Sequence, residues 1–274
     1  LSRDPKTIKS ELSKILKGTK KLTNVKLGSP FWDGFNGNVV NDEENSKKWY
    51  IYGSLKLENK TTIMVNELPV GYDLKQYIAI LDVLSDKNII SSYKDYSTDD
   101  KFNFKIRVKR ELTDKASLEQ LFIKLKLRTA VTENFTTIDE NNRIRVFESA
   151  EDIFKDYFNI RMEFLGLRKK YTIGSMEHNL KVNNSRYIFI KGVIDSDIII
   201  NNKTKKDIIA QLDSNDKIIK FEDSYDYLLR MPIYSLSKEK LAEIKKKIAT
   251  IKAELKVYKG MTLENLWLDE LKEI

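Results

Sequence analysis

Chemistry needs particular side chains at particular spacings, and this chain offers few. Its 13 tyrosines offer possible nucleophiles. A reactive tyrosine needs a base or cation beside it, and Arg186-Tyr187 is the one place where Arg directly precedes Tyr. That pair opens the apolar run Tyr187-Ile188-Phe189-Ile190, which reads as packing. His178 is the single histidine, so no triad with a second histidine and no multi-histidine metal site is available. Asp195-Ser196-Asp197 has the form of a two-carboxylate magnesium pair but reads as a turn before a strand. With no cysteine, disulfides, thiolate metal sites and cysteine nucleophiles are excluded, and a reducing compartment fits. The phosphate loop GxxxxGK[ST] is absent. On its own this chain is expected to catalyse nothing and to hold no metal.

What remains is binding. The net charge of +8 is unevenly spread: residues 1–28 carry eight Lys/Arg against two Asp/Glu, and residues 238–259 carry eight Lys against three Glu. The first cluster suits a polyanion, because lysine and arginine displace counterions condensed on phosphates. The second lies along a helical pattern and reads as its wet face. No apolar run reaches the length of a membrane span. The start, Leu1-Ser2-Arg3-Asp4-Pro5, shows no signal peptide and no Met, and reads as a piece of a longer, cytoplasmic protein.

Positioning elements follow from periodicity and punctuation. Asp4-Pro5 predicts a capped helix with Ile8, Leu12, Ile15 and Leu16 on one stripe, ended by Gly18. Trp49 to Leu57 alternates as one strand, and Thr62–Val65 returns as its hairpin partner. Asp73 caps a helix to about Leu84, and Phe102–Val108 alternates again. A helix near 116–125 and short strands near Thr136 and Arg143–Phe147 complete an α+β domain.

After Ser149 the period changes. Ile153, Tyr157, Ile160, Phe164, Leu167 and Tyr171 alternate in steps of four and three, as do Leu241, Ile244, Ile248, Ile251, Leu255 and Tyr258. Each is an a/d seam. Two seams on one chain predict antiparallel pairing, the second helix spanning roughly 33 Å. A small apolar module between them is expected to be buried against another copy, through Tyr187, Ile188, Phe189, Met231, Pro232 and Ile233. An ordinary helical bundle is the bland alternative.

Six stretches, in order, resemble the type IIA DNA topoisomerases, most closely their eukaryotic and T-even phage branch. Phe31-Trp32-Asp33-Gly34-Phe35-Asn36-Gly37-Asn38-Val39 is similar to P-W/Y-x-x-F-K-G-T-I, and Thr61–Val70 to T-T-I-x-I-x-E-L-P-V. Tyr93–Asp99 parallels D-Y-R-E-Y-H-T-D. Ile153–Lys169 resembles a helix ending Y-Y-x-x-R-K, and Tyr225–Lys240 resembles Y-D-Y-L-L-x-M-P-I-W-S-L-T-K-E-K. Leu266–Leu271 echoes D-L-W-x-x-D-L.

The resemblance implies a non-catalytic part of the cleavage subunit of an ATP-dependent enzyme that passes one duplex through a break in another. Its fold is expected to be an antiparallel-sheet tower followed by a long antiparallel coiled-coil arm, capped by a small, mainly helical exit-gate module. The expected segments are a basic linker helix (1–28), the tower (29–147), the outgoing helix (148–182), the gate module (183–236), the returning helix (237–259) and a tail packing near the tower base (260–274). The nucleophilic Tyr, the Mg2+ ligands and the ATP site are expected elsewhere in the holoenzyme. Partners would be double-stranded DNA, a second copy of the chain and an ATPase subunit. Val39 stands where the family has an isoleucine that wedges into the minor groove, with Asn38 in place of threonine. By residue type alone Val39 reads as a turn residue packed on Phe35. Lys20, Lys21, Lys26, Lys47 and Lys48 are the candidate phosphate contacts. The alternative is a coiled-coil DNA-architectural or interaction protein with no enzymatic role.

Overall fold

The computed structural model describes residues 1–273, so Ile274, the end of the expected tail segment, lies outside the described residues. The chain divides into two compact units, one running to Tyr157 and the other from Phe158 onward.

The first unit opens with α1 (Pro5–Leu16), whose cap Asp4 accepts hydrogen bonds from the N–H groups of Lys6 and Thr7. Gly18, at φ +71°, ends it in the left-handed conformation that costs glycine least. Two antiparallel sheets follow. The first contains β1 (Asn38–Asn41), β2 (Lys48–Tyr52) and β7 (Arg128–Thr132), with β2 central. The second has the order β3 (Ser54–Asn59), β4 (Thr62–Glu67), β6 (Phe104–Val108), β5 (Ile90–Asp95).

The single strand expected from Trp49 to Leu57 is therefore two strands in two sheets. Gly53 is the corner: a Cβ there would sit 2.3 Å from the carbonyl oxygen of Glu67. Alternation runs straight through that glycine, so periodicity could not reveal the change of sheet.

The core lies on one face of the second sheet, where Ile63 pairs with Ile106 and Val65 with Phe104. Against it packs α2 (Leu74–Asp86), presenting Tyr77, Leu81 and Leu84 at helical spacing and closed by a reciprocal capping box between Asp73 and Gln76. Each fully buried side chain of this size stabilises by about 1.5–3 kcal/mol. Tyr77 is fully buried, donates its hydroxyl to the Leu125 carbonyl at 3.2 Å, and is pushed far up in pKa by that burial. The helix expected near 116–125 is α4 (Leu118–Lys124), and a short helix not expected, α3 (Arg110–Lys115), precedes it. A hairpin of β8 (Thr136–Ile138) and β9 (Ile144–Val146) completes the sheets.

The helix α5 (Ala150–Ile194) begins in the first unit and contributes all its residues from Phe158 onward to the second. It runs unbroken past residue 182, so the boundary expected between outgoing helix and gate module falls inside one helix. The second unit continues with α6 (Lys205–Asp213), α7 (Asp226–Leu229), α8 (Lys238–Gly260) and α9 (Leu263–Glu270). Within it α5 and α8 run antiparallel. Phe189 and Ile190 share a core with Ile244 and Ile248, Glu177 pairs with Lys259, and Lys169 donates to the carbonyls of Lys259 and Met261. The tail helix α9 stacks Trp267 on Phe158, with ring centroids 5.2 Å apart, and holds Glu270 between Arg161 and Arg168.

The returning seam is as expected: Ile244, Ile248 and Leu255 are buried. The outgoing seam is not. Tyr157, Phe164, Leu167 and Tyr171 are between 54% and 79% exposed, whereas Leu165 is 2% exposed. The face that packs is carried by Phe158, Met162, Leu165 and Lys169, one or two residues later in the chain. Both faces repeat in steps of four and three, and the flexible stem of Lys169 fills an apolar position while its ammonium reaches carbonyls.

Candidate nucleic-acid interface and gate module

Val39 belongs to an edge strand, not to a turn. The turn before it is made by Trp32–Gly37, with Trp32 edge-on to Phe35 at 6.3 Å. Gly37 is required there, because a Cβ would lie 2.1 Å from the Tyr52 carbonyl oxygen and 2.3 Å from the Phe35 ring. Val39 pairs with Ile51 and Val40 with Tyr50. Residues directly opposite share a face, so Val39 lies on the side of Trp49, Ile51 and Val131. That side is the inner one: Ile51 is buried, and the Trp49 indole N–H donates to Glu133 at 2.8 Å. Val39 is half-buried, while Val40, on the opposite face, is 42% exposed.

That opposite face is basic and aromatic. Tyr50 lies between the Lys48 ammonium, 4.8 Å from its ring centre, and the Arg128 guanidinium, 4.4 Å away. Arg128 also pairs with Glu119, which accepts the Tyr52 hydroxyl at 3.1 Å. Sequence reasoning missed Arg128; its strand is short, and its partner Tyr50 lies far away in the chain.

The five lysines differ in what they already hold. Lys20 pairs with Glu11, a buried carboxylate that also takes Lys14 at 3.1 Å and the Lys26 backbone N–H at 3.2 Å. Chiefly through the hydrogen bond from Lys20, and against its burial, Glu11 is held at about 2. Lys47 bridges to Glu148 at 2.9 Å and lies over the Phe135 ring. Lys48 bridges to Asp42 at 3.2 Å, and Tyr50 first, then Asp42, raise its pKa. Lys21 and Lys26 are exposed and, among the described residues, without an ion-pair partner. Lys20, Lys47 and Lys48 would have to release a carboxylate to meet phosphate; Lys21 and Lys26 would not.

In the second unit the expected pairing residues fall into three groups. Phe189 is 3% exposed and lies in the core of its unit, so it is a packing residue rather than a contact. Tyr187 and Ile188 are half-buried and line a polar cleft of about 630 Å³ with Lys191, Asp197 and Lys217. Met231 leans on the core, and Pro232 is exposed. Ile233 is 88% exposed and the adjoining Tyr234 80%, on a short turn anchored by buried Ser235. Tyr234 was missed, although its place beside Ile233 in the stretch Tyr225–Lys240 marked it for attention.

The remaining chemical candidates stay apart. The Arg186 guanidinium lies over the Tyr227 ring at 5.9 Å, and His178 is exposed beside Phe221. Among the described residues no three His, Asp or Glu side chains gather as a ligand set for a metal. None of the described helices is long and apolar enough to cross a membrane.

Comparison with known proteins agrees over nearly the whole chain. The family model for the A subunit of DNA gyrase/topoisomerase IV matches residues 2–272. The mitochondrial DNA topoisomerase 2 of Dictyostelium discoideum is 25% identical over 89% of this chain and 20% of its own length. DNA topoisomerase 2-alpha of Gallus gallus is 29% identical over 88% of this chain and 18% of its own. The chain thus spans about a fifth of the length of these curated relatives. In fold it is similar to the DNA-binding, cleavage and re-ligation domain of Plasmodium falciparum topoisomerase II, with a TM-score of 0.77 and 23% identity, covering 99% of this chain and 40% of that one. The chain belongs to the family of the DNA gyrase/topoisomerase IV A subunit.

Proposed function

We propose that this chain is the DNA-supporting and dimerising part of the cleavage subunit of an ATP-dependent type II DNA topoisomerase. The observation that carries the reading is the family match over residues 2–272. The antiparallel α5–α8 pair, whose module bares Ile233 and Tyr234, supports it further. The same match disfavours a coiled-coil architectural protein with no enzyme attached.

The assembled enzyme would cut one duplex through a tyrosine outside these residues, pass a second duplex through the break and release it through an exit gate. Mg2+ and ATP would be bound by other parts of the assembly, ATP on an ATPase subunit, and this chain would bind neither. The first unit would hold and bend the cut duplex. Lys21 and Lys26 would contact phosphate directly, Lys20, Lys47 and Lys48 by exchanging carboxylate for phosphate, and Val39 would wedge a base step. The second unit would keep two copies joined while the break is open, through Ile233, Tyr234 and Pro232 with Tyr187, Ile188 and Met231 behind them. A small contact suits an interface that must also open. The resemblance in Phe31–Val39 and Tyr225–Lys240 extends to the T-even phage branch. The parent we favour is a phage medium subunit, which would work in the host cytoplasm.

Sedimentation of the chain tests the reading. A dimer that becomes a monomer on Ile233→Glu with Tyr234→Ala, with helix content unchanged, is expected. A strict monomer at high concentration would remove the gate role.

A further inference from the structure

The lysines expected to meet phosphate are mostly engaged by carboxylates, whereas another set is not. Among the described residues Lys87, Lys109, Lys115, Lys124 and Lys126 have no ion-pair partner, and all five border two adjoining hollows on the first unit. The larger, of about 780 Å³, has an apolar floor in which α2 presents Ile80, Val83 and Leu84 opposite Ile123 of α4. The smaller, of about 390 Å³, shares Ile89 and Lys124 with it and contains Glu111, the one acidic residue among those lining the pair. On α2, Asp82 is occupied by the Tyr93 hydroxyl at 2.6 Å, and Asp86 stands next to Lys87 at the helix end. Val83 and Ile123 are 49% and 42% exposed, a large apolar exposure for neighbouring helix positions.

An apolar floor rimmed by uncompensated cations specifies its occupant on two counts. The floor gains only if apolar side chains cover it, and the rim gains only if carboxylates or phosphates approach it. A duplex brings phosphates but nothing apolar to lay on Val83 and Ile123. A helix with a leucine-type stripe flanked by Asp and Glu satisfies both, in the helix-in-groove manner. We propose that this groove docks an acidic amphipathic helical segment of a partner protein. The assignment is independent of the DNA and dimer roles above, because it uses none of their residues.

The test uses the whole chain and a fluorescent three-heptad peptide with Leu on one stripe and Glu on its flanks. Controls are the same peptide with Gln for Glu and a short DNA duplex as competitor. The Glu peptide is expected to bind, to protect backbone amides of residues 79–89 and 120–126 from exchange, and to weaken roughly tenfold in Lys87→Glu with Lys124→Glu. The matched reversal of Lys245 and Lys246 on α8 is expected to leave binding intact. Equal binding of the Gln peptide, protection elsewhere, or displacement of the peptide by duplex DNA at the same lysines would each overturn the proposal. Comparison of the peptides on the unaltered chain keeps the test valid if the double variant folds poorly.

Discussion

The guanidinium of Arg3 closes on the carboxylate of Glu133 with two hydrogen bonds, of 2.7 and 2.8 Å, across 130 residues of chain. Both side chains are buried, at 8% and 4% exposure. This pair fastens the segment before α1 to the end of β7, and the Trp49 indole shares the same carboxylate. Removing one partner of a buried pair strands the other charge, which costs about 3–5 kcal/mol. Arg3→Ala is therefore expected to lower the unfolding free energy of the first unit by that order in urea titrations, and to shift Trp fluorescence. Replacing both residues by apolar ones of similar size should cost much less. Losses that simply add, with the double variant losing the sum of the two single ones, would show that the pairing itself contributes nothing.

The carboxylate of Glu11 gives a pH dependence whose sign is fixed. Its native pKa, about 2, lies below its ordinary value of 4.5, mainly through Lys20. The stability it contributes is thus fully present above about 4.5 and is lost as pH falls towards 2. Urea midpoints recorded from about pH 6 down to about pH 2.5 should fall less steeply in Glu11→Gln than in the unaltered chain. Parallel curves would mean that Lys20 and Glu11 do not interact in solution, which would free Lys20 for phosphate.

The phase of the α5 seam can be decided by two truncations two residues apart. Leu165 is fully enclosed, so Leu165→Ala should cost about 2–5 kcal/mol. Leu167 is 56% exposed, and Leu167→Ala should change stability by less than about 0.5 kcal/mol. Thermal unfolding followed by circular dichroism reads both. A larger loss at Leu167 would restore the seam first expected.

These cases also show where the sequence was legible. Helices with side-chain caps were readable, as at Asp4-Pro5 and Asp73…Gln76, because their signals are local. The second sheet was readable in β4 and β6, where the buried apolar residues Ile63 and Val65, and Phe104, Ile106 and Val108, fall at every second position. β1 and β7 were not, since Asn38-Val39-Val40-Asn41 and Arg128–Thr132 are short and mixed, and acquire their strand character only by pairing with β2. The α5 seam was ambiguous because apolar residues lie on two of its faces, one of which packs within the unit. The occupied state of Lys47 was illegible for the same reason as the strands: Glu148 meets it from 101 residues away.

If Lys21 and Lys26 meet phosphate as proposed, each replaces one condensed counterion. Lys21→Ala and Lys26→Ala should each weaken duplex binding uniformly across sequences and reduce the slope of log K against log salt by about 1. Lys48→Ala should have a smaller effect on slope, because Asp42 already neutralises it at 3.2 Å. Fluorescence anisotropy at several salt concentrations provides the slopes. An unchanged slope in the Lys21 and Lys26 variants would place DNA elsewhere on the chain.

The wedge assignment is best tested by making the side chain longer as well as shorter. Val39 is half-buried beside Ile51 on an edge strand, so Val39→Ala alone mixes a packing loss with a loss of intercalation. Val39→Ile adds one methylene to a position whose strand has, among the described residues, no neighbour on its outer side. A wedge unstacks a base step in exchange for a bent duplex that contacts more protein. In the assembled enzyme, bending followed by energy transfer between duplex ends should decrease in Val39→Ala and increase in Val39→Ile. Val40→Ala, on the opposite and more exposed face, should change it less than either. A purely structural Val39 would move stability in both variants and leave bending and cleavage where they were, and that result would remove the wedge.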